Sequence, residues 1–306
     1  MPDVQSSAPP VLDEATVGRF LSFDSLIPAM ERTLVAYSEG RVSQPDRKII
    51  PVEAHGGFFG AMPAVGEAVG LKIVTFYPGN ADRGLPTHLA VIQLFDPATG
   101  QLMVTMDGRL ITEMRTASVS AAVVRKTIAP DARVLAVLGT GVQAHVHVAA
   151  MTHLQAFDEI RVWGRTTEKA EAFAEAVGGR AMSAEEAARG ADVVVTATAS
   201  KTPVLEGAWL KPGAVVAAVG WNTVDSRELD DAAMTNVVIV ESWSGTSSES
   251  GNLRGSGAAI FAEAGELLSG RKAIEPGSTV IFDSVGMACE DVATAKLIWD
   301  AYTAAS

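Results

Sequence analysis

The chain has 306 residues, of which 48% are hydrophobic, and a formal net charge of −12. This is enough chain for two separate cores, and the acidic balance disfavours a nucleic-acid or anionic-membrane surface while leaving room for a basic site within a cleft. The single cysteine, Cys289, excludes an internal disulfide framework and reads as a small buried side chain rather than a nucleophile.

The start, MPDVQSSAPP, has neither the basic nor the apolar segment of a signal peptide, and no apolar run approaches the about 20 residues that span a bilayer, so a cytoplasmic protein is expected. Residues 13–38 carry helical spacing through Val17, Phe20, Leu21, Leu26, Ile27, Met30, Leu34 and Val35. HLAVIQLFD (88–96), QLMVTMD (101–107) and RLITEM (109–114) read as short strands. The turn signals DPATG and DG separate them, which predicts an antiparallel meander. TEMRTASVSAAVVRKTIA then reads as an alanine-rich helix.

From residue 132 apolar runs alternate with helical stretches. RVLAVLG, EIRVWG, ADVVVTATA, GAVVAAVG, NVVIVES and STVIFDSVG are mostly continuous runs, as expected for strands covered on both faces. TTEKAEAFAEAV and SAEEAARG are helical patterns between them. Six strands with crossovers predict a doubly wound parallel sheet. SWSGTSSESGNLRGSG, 242–257, reads as a polar surface connection, with a lid over the cleft as the alternative. The final EDVATAKLIWDAYTAA reads as a helix returning to the first domain.

Gly139-Thr140-Gly141 ends the first of these runs, and Val142, Gln143 and Ala144 open the next helix. The first glycine permits a tight turn, the second lets the backbone approach a pyrophosphate, and the small Ala144 allows helix and strand to pack closely. The helix N-terminus adds free N–H groups and a positive dipole end. This pattern at the first strand of an alternating αβ series predicts a dinucleotide site. An NAD site usually places an acid at the tip of the second strand, but Gly164, Arg165 and Thr166 stand there. A guanidinium and a hydroxyl suit a 2′-phosphate, so NADPH is expected over NADH.

Arg47, Lys72 and Arg115 lie beside apolar or small residues rather than in charge runs. Such cations are rarely buried without a partner, and convergence on an anionic substrate stands against the alternative of separate salt bridges. The glycine-rich HGGFFGAMPA, 55–64, offers Phe58, Phe59 and Met62 as a wall for an apolar ring, with ordinary packing as the alternative. The five histidines show no metal-ligand spacing and no nucleophilic triad is readable.

QPDRKIIPV, LKIVTFYPGN, HLAVIQLFDPATG, MDGRLITEMRTASVSA, LGTGVQA, VWGRTTEKAEAFA, AVGWNTVDSRELDD and IFDSVGMACEDVATA together resemble the ornithine cyclodeaminase/mu-crystallin family over nearly the whole chain. The resemblance implies an α/β fold in which a Rossmann doubly wound parallel sheet (127–286) is inserted in an α+β substrate-binding and dimerisation domain (1–126 plus 287–306), and a homodimer. It implies that Arg47, Lys72 and Arg115 face a substrate carboxylate, and that Arg115 and Thr116 approach the cofactor. His88 would lie near that cofactor, with Thr196, Ala197, Val219 and Gly286 lining its path. Cyclodeaminases of the family carry a catalytic Asp where Asn222 stands here, and an amide is no general base at neutral pH. The expected activity is NADPH-dependent reduction of a cyclic imine 2-carboxylate, Δ1-pyrroline-2-carboxylate or Δ1-piperideine-2-carboxylate, to proline or pipecolate. Cyclodeaminase or alanine dehydrogenase-type activity, and a non-enzymatic NADPH-dependent ligand carrier, are the alternatives.

Overall fold

The structure, a computed structural model, describes residues 8–220 and 224–305. The chain opens with β1 (Val11–Leu12), α1 (Glu14–Gly18) and α2 (Phe23–Ser38). The helical spacing over 13–38 thus divides into two helices, because Asp13 and Ser22 each cap one by accepting a backbone N–H. A six-stranded sheet uses β2 (Lys48–Val52), β3 (Gly57–Val65), β4 (Val69–Phe76), β5 (His88–Phe95) and β6 (Leu102–Asp107), in the order β1-β6-β5-β4-β3-β2. Only the β1–β6 pair is parallel. The meander therefore starts well before residue 88. Its last expected strand, 109–114, instead opens α3 (Arg109–Thr127). Ile111, Met114, Arg115 and Ser118 continue a helical period there, and the Asp107 carboxylate accepts from the Arg109 N–H to start it.

The second sheet is parallel throughout. Its elements are β7 (Val134–Leu138), α4 (Val142–Leu154), β8 (Glu159–Trp163), α5 (Thr167–Ala176), β9 (Arg180–Ala181), α6 (Ala184–Ala188), β10 (Val193–Thr196), β11 (Val215–Ala218), β12 (Val237–Val240), α7 (Trp243–Glu249), α8 (Gly251–Ser256), β13 (Ile260–Glu263), α9 (Ala264–Leu268), β14 (Val280–Asp283) and α10 (Ala288–Ala305). Strand order is β13-β12-β14-β11-β10-β7-β8-β9. All six expected strands are present, and the short β9 and β13 close the two edges. The chain leaves β7 in one direction through β8 and in the other through β10, so the strand order reverses between β7 and β10, where such sheets bind ligands. Residues 242–257, expected as an irregular polar connection, form two short helices instead. Ser242 and Ser250 cap the helices α7 and α8, and Thr246, Ser250, Gly251 and Asn252 are buried.

α10 returns to the first sheet and packs on α2, α3, β3, β4 and β5. Met62, Lys72 and Ile92 form one cross-strand row, all buried. The opposite face is apolar and uncovered: Phe59–Thr75–Leu89 and Ala61–Ile73–Val91 are two of its rows, and Phe59, Leu89 and Val91 are exposed. Among the described residues no helix is long and apolar enough to cross a membrane. The seat of α10 depends on Gly70, where a Cβ would stand 2.8 Å from Val292 Cγ2 and 2.9 Å from Gln93 O. Gly70→Val is expected to lower stability by about 1–3 kcal/mol through overpacking, measured by urea unfolding, and to displace the first turn of α10.

Candidate active site

Two groups of residues lie at the carboxyl edge of the parallel sheet, one after β7 and one against the turn that follows β14, with β10 and β11 between. The first is the glycine turn. Gly139 has φ +137, and a Cβ there would lie 2.4 Å from Ala197 O, so only glycine fits. Gly141 precedes α4 in extended conformation, a Cβ on it would meet nothing within 4 Å, and no side chain caps the helix. Open space in front of unpaired N–H groups at the start of a 13-residue helix suits a dinucleotide pyrophosphate. Val142 is exposed beside it, and the Gln143 Oε1 is buried without a hydrogen-bond partner among the described residues. Gly164, Arg165 and Thr166 stand at the tip of β8. Gly164 lies against Thr140, where a Cβ would come within 2.6 Å of Cγ2. Arg165 and Thr166 are exposed. Thr196, Ala197 and Val219 stand at the tips of β10 and β11, tied by Ala197 N–H to Leu138 O at 2.8 Å and Val219 N–H to Thr196 O at 2.9 Å.

The second group gathers the cations. Lys72 Nζ donates to Asp291 Oδ1 at 2.8 Å, and Arg115 Nε donates to the same oxygen at 3.1 Å. Arg115 Nη1 donates to Glu290 Oε2 at 2.7 Å. Arg47 is half-buried; it binds Glu249 at the end of α7, and its Nη2 donates to the carbonyls of Val285 and, at 2.9 Å, Gly286. The cations gather, and each carries a carboxylate partner, so the salt bridges posed as one alternative from the sequence are present, with Lys72 and Arg115 sharing Asp291 rather than standing separately. Glu241 at the end of β12 holds the turn, accepting from Ser284 Oγ at 2.6 Å and from Val285 N at 3.0 Å. Gly286, φ +79, packs so close to Arg115 that a Cβ would lie 2.8 Å from its guanidinium nitrogens.

Burial is the first cause of most of the perturbed acidities. It lowers Lys72 to about 8, although Asp291 acts in the opposite direction. It lowers His88, at the start of β5, to about 4, and the nearby Lys72 charge adds to this, so the ring is neutral near pH 7. Burial raises Glu290 to about 8, helped by Glu241 and opposed by Arg115. For Asp291, burial is outweighed by Arg115 and Lys72, which hold it ionised below the usual carboxylate range. Arg115 is held firmly charged, since Asp291 and Glu290 overcome its desolvation.

Not every expected residue presents a free group. The Thr116 hydroxyl donates to the Thr112 carbonyl of its own helix at 2.7 Å. Of the expected apolar wall, Phe58 and Met62 lie on the Lys72 side of β3, whereas Phe59 belongs to the open face. Asn222 lies outside the described residues. Glu241, Glu249, Glu290 and Asp291 were not foreseen. Their signal was indirect: three isolated cations in apolar surroundings require buried carboxylates, and the CED segment supplies two of them.

Residues 8–306 match the ornithine cyclodeaminase/mu-crystallin family, and the chain belongs to it. Among individual relatives, the chain is 44% identical over 307 residues to ketimine reductase mu-crystallin of Mus musculus, covering 97% of this chain and 98% of that protein. The fold is similar to that of Thermococcus litoralis Δ1-pyrroline-2-carboxylate reductase in complex with NADH and L-proline, with a TM-score of 0.91, 31% identity and coverage of 96% and 98%. An archaeal alanine dehydrogenase dimer with bound NAD superposes with a TM-score of 0.91 at 27% identity, covering 97% of each chain. The relatives thus include reductases of C=N bonds, and solved relatives hold a nicotinamide dinucleotide.

The raised pKa of Glu290 makes stability pH-dependent. Its ordinary value is 4.5 and its folded value about 8, so its contribution is complete below the former and is lost as pH rises through the latter. Glu290→Gln removes that titration while leaving Lys72. The stability of the variant relative to the parent is expected to rise across this window, measured by urea unfolding at a series of pH values. A difference independent of pH would show that Glu290 does not bind its proton more tightly in the folded chain.

Proposed function

We propose that this protein reduces a cyclic imine bearing a 2-carboxylate, Δ1-pyrroline-2-carboxylate or Δ1-piperideine-2-carboxylate, to proline or pipecolate with NADPH. The observation that carries this reading is the placement of two groups at one edge of the parallel sheet: an uncapped glycine turn after β7, and the Lys72–Asp291–Arg115 cluster packed against the Ser284–Gly286 turn after β14. The bound nicotinamide supplies hydride. Gly139, Gly141, Val142 and Gln143 hold the pyrophosphate, and Thr196, Ala197, Val219 and Gly286 border the path to the nicotinamide. Arg165 with Gly164 and Thr166 receives the 2′-phosphate; Arg165 is exposed and has no ion-pair partner among the described residues.

The imine carbon, which bears the carboxylate, needs little activation beyond positioning and a proton on its nitrogen. Arg47 and Arg115 orient the substrate carboxylate. Lys72, lowered to about 8 by burial, is suited to give its ammonium proton to the imine nitrogen near neutral pH, and Asp291 holds the amine in place. His88, neutral, and Thr116 complete the wall near the cofactor, and Asn222 occupies the position of the cyclodeaminase acid. In this reading residues 1–126 with 287–306 form the substrate and dimer domain, and 127–286 the cofactor domain.

The test follows NADPH oxidation with both cyclic imines, with pyruvate plus ammonia, and ammonia release from ornithine with NAD. Reduction of the imines, and no ammonia from ornithine, is the expected result. Failure with every imine would favour a ligand carrier, while turnover with pyruvate and ammonia would favour the alanine dehydrogenase type. Arg165→Ala is expected to weaken NADPH about tenfold to a hundredfold, as for loss of a charged hydrogen bond, and to leave NADH nearly unchanged. Equal loss for both cofactors would refute the 2′-phosphate role.

Two copies are proposed to pair through the open face of the six-stranded sheet, whose exposed Phe59, Leu89 and Val91 form a contiguous apolar surface. Val91→Asp is expected to convert a dimer to a monomer in analytical ultracentrifugation; an unchanged dimer would place the interface elsewhere.

A further inference from the structure

We propose that Glu228 is a positioning residue that sets the nicotinamide end of the cofactor crevice by fixing the tips of β10 and β11. The inference rests on the cofactor reading above and goes beyond it, since Glu228 belongs to neither group of expected site residues. The Glu228 carboxylate is fully buried. Among the described residues it has no ion-pair partner, and four donors surround it. Its Oε1 accepts from Thr198 N at 2.7 Å and from Thr198 Oγ1 at 2.7 Å. Its Oε2 accepts from Thr196 Oγ1 at 2.8 Å and from Gly220 N at 2.9 Å. A carboxylate offers about four lone-pair positions, and all are used. Two of the donors come from backbone that cannot turn away, and one strand tip lies on each side of the carboxylate.

Glu228 is itself held from behind. Its backbone N–H and that of Leu229 donate to Asn252 Oδ1 at 2.8 and 3.0 Å, and its carbonyl accepts from Val204 N and Leu205 N. Asn252 in turn donates to Asp283 at the end of β14. Gly220 approaches so closely that a Cβ would stand 2.3 Å from Glu228 Cδ and 2.4 Å from Thr198 O. Ala197, between the two threonines held by Glu228, is the residue whose carbonyl meets Gly139.

The two ends of the crevice are anchored differently. The adenosine side, toward β8, has its own ties, such as Gly139 N–H to Trp163 O at 2.8 Å. With Arg165 at the tip of β8, the nicotinamide end falls on the β10–β11 side, where Thr196, Thr198 and Gly220 all converge on one carboxylate. In Glu228→Gln an amide NH2 replaces one oxygen and faces a backbone N–H, whichever way the amide is turned. The loop on that side must then move.

The test compares NADPH with 2′-phospho-ADP-ribose, a fragment lacking nicotinamide, by titration against the intact chain, together with steady-state reduction of the preferred imine. In Glu228→Gln the fragment is expected to bind as in the parent. The extra affinity that the nicotinamide confers should shrink about three- to tenfold, as for loss of one hydrogen bond. The kcat should fall about 10- to 100-fold with little change in KM for the imine, as for a misplaced reacting group. Thr198→Val, which removes one hydroxyl donor, should move the same ratio and kcat in the same direction by less, and keeps the test open where Glu228→Gln does not fold. Equal weakening of both ligands marks a merely structural role and overturns the proposal. So does an unchanged ratio and kcat in a folded Glu228→Gln, or in Thr198→Val if Glu228→Gln does not fold. If the parent chain binds no NADPH, the cofactor reading itself falls, and this inference with it.

Discussion

One oxygen of Asp291 receives both Lys72 Nζ and Arg115 Nε, in a place where all three side chains are almost wholly buried. The desolvation of such a group roughly offsets its internal attraction, so it adds little net stability. Its effect is geometric. Lys72 belongs to β4, Arg115 to α3 and Asp291 to the first turn of α10, and removing one partner would strand a buried charge at a cost of about 3–5 kcal/mol. The sheet, the long helix and the C-terminal helix are therefore held in one relative position. Gly70 is part of the same constraint, since it lets α10 come close enough for Asp291 to reach Lys72.

The balance of charge around that contact shapes what the site can bind. Each of the three cations already has a carboxylate partner: Arg47 with Glu249, Arg115 with Glu290 and Asp291, and Lys72 with Asp291. A simple anion entering here meets both signs. A molecule carrying a carboxylate next to a protonatable nitrogen matches them, the carboxylate toward the guanidinium groups and the nitrogen toward the acidic side. The acidity of the chain as a whole is thus not in conflict with the proposed recognition of a carboxylate at these cations, because such recognition would be local and low in dielectric.

The turn after β14 braces the cation cluster against the parallel sheet. Glu241 holds its N–H groups, Arg47 takes its carbonyls, and Gly286 lies flat against the Arg115 guanidinium. A side chain at Gly286 would push Arg115 away from Glu290, and φ +79 would disfavour it in any case.

The parallel sheet, the glycine turn and the C-terminal helix were legible in the sequence because each is a local pattern: continuous apolar runs, a Gly-x-Gly at a strand end and helical spacing. The acid-free tip of β8 was legible for the same reason. Patterns of local chemistry misled at 109–114, where a short apolar stretch fits strand and helix alike, and at 242–257, where a polar composition concealed two serine-capped helices with buried faces. The strands β2, β3 and β4 escaped notice because glycine and proline interrupt their alternation. The sequence by itself determined which residues are isolated cations and where a dinucleotide turn can form, since residue type and spacing suffice for both. Only the tertiary structure decided that Lys72 and Arg115 share Asp291 across separations of 219 and 176 residues, and that Glu228 gathers the tips of β10 and β11. Those pairings depend on how the buried faces pack, and no local periodicity encodes which distant carboxylate a buried cation will meet.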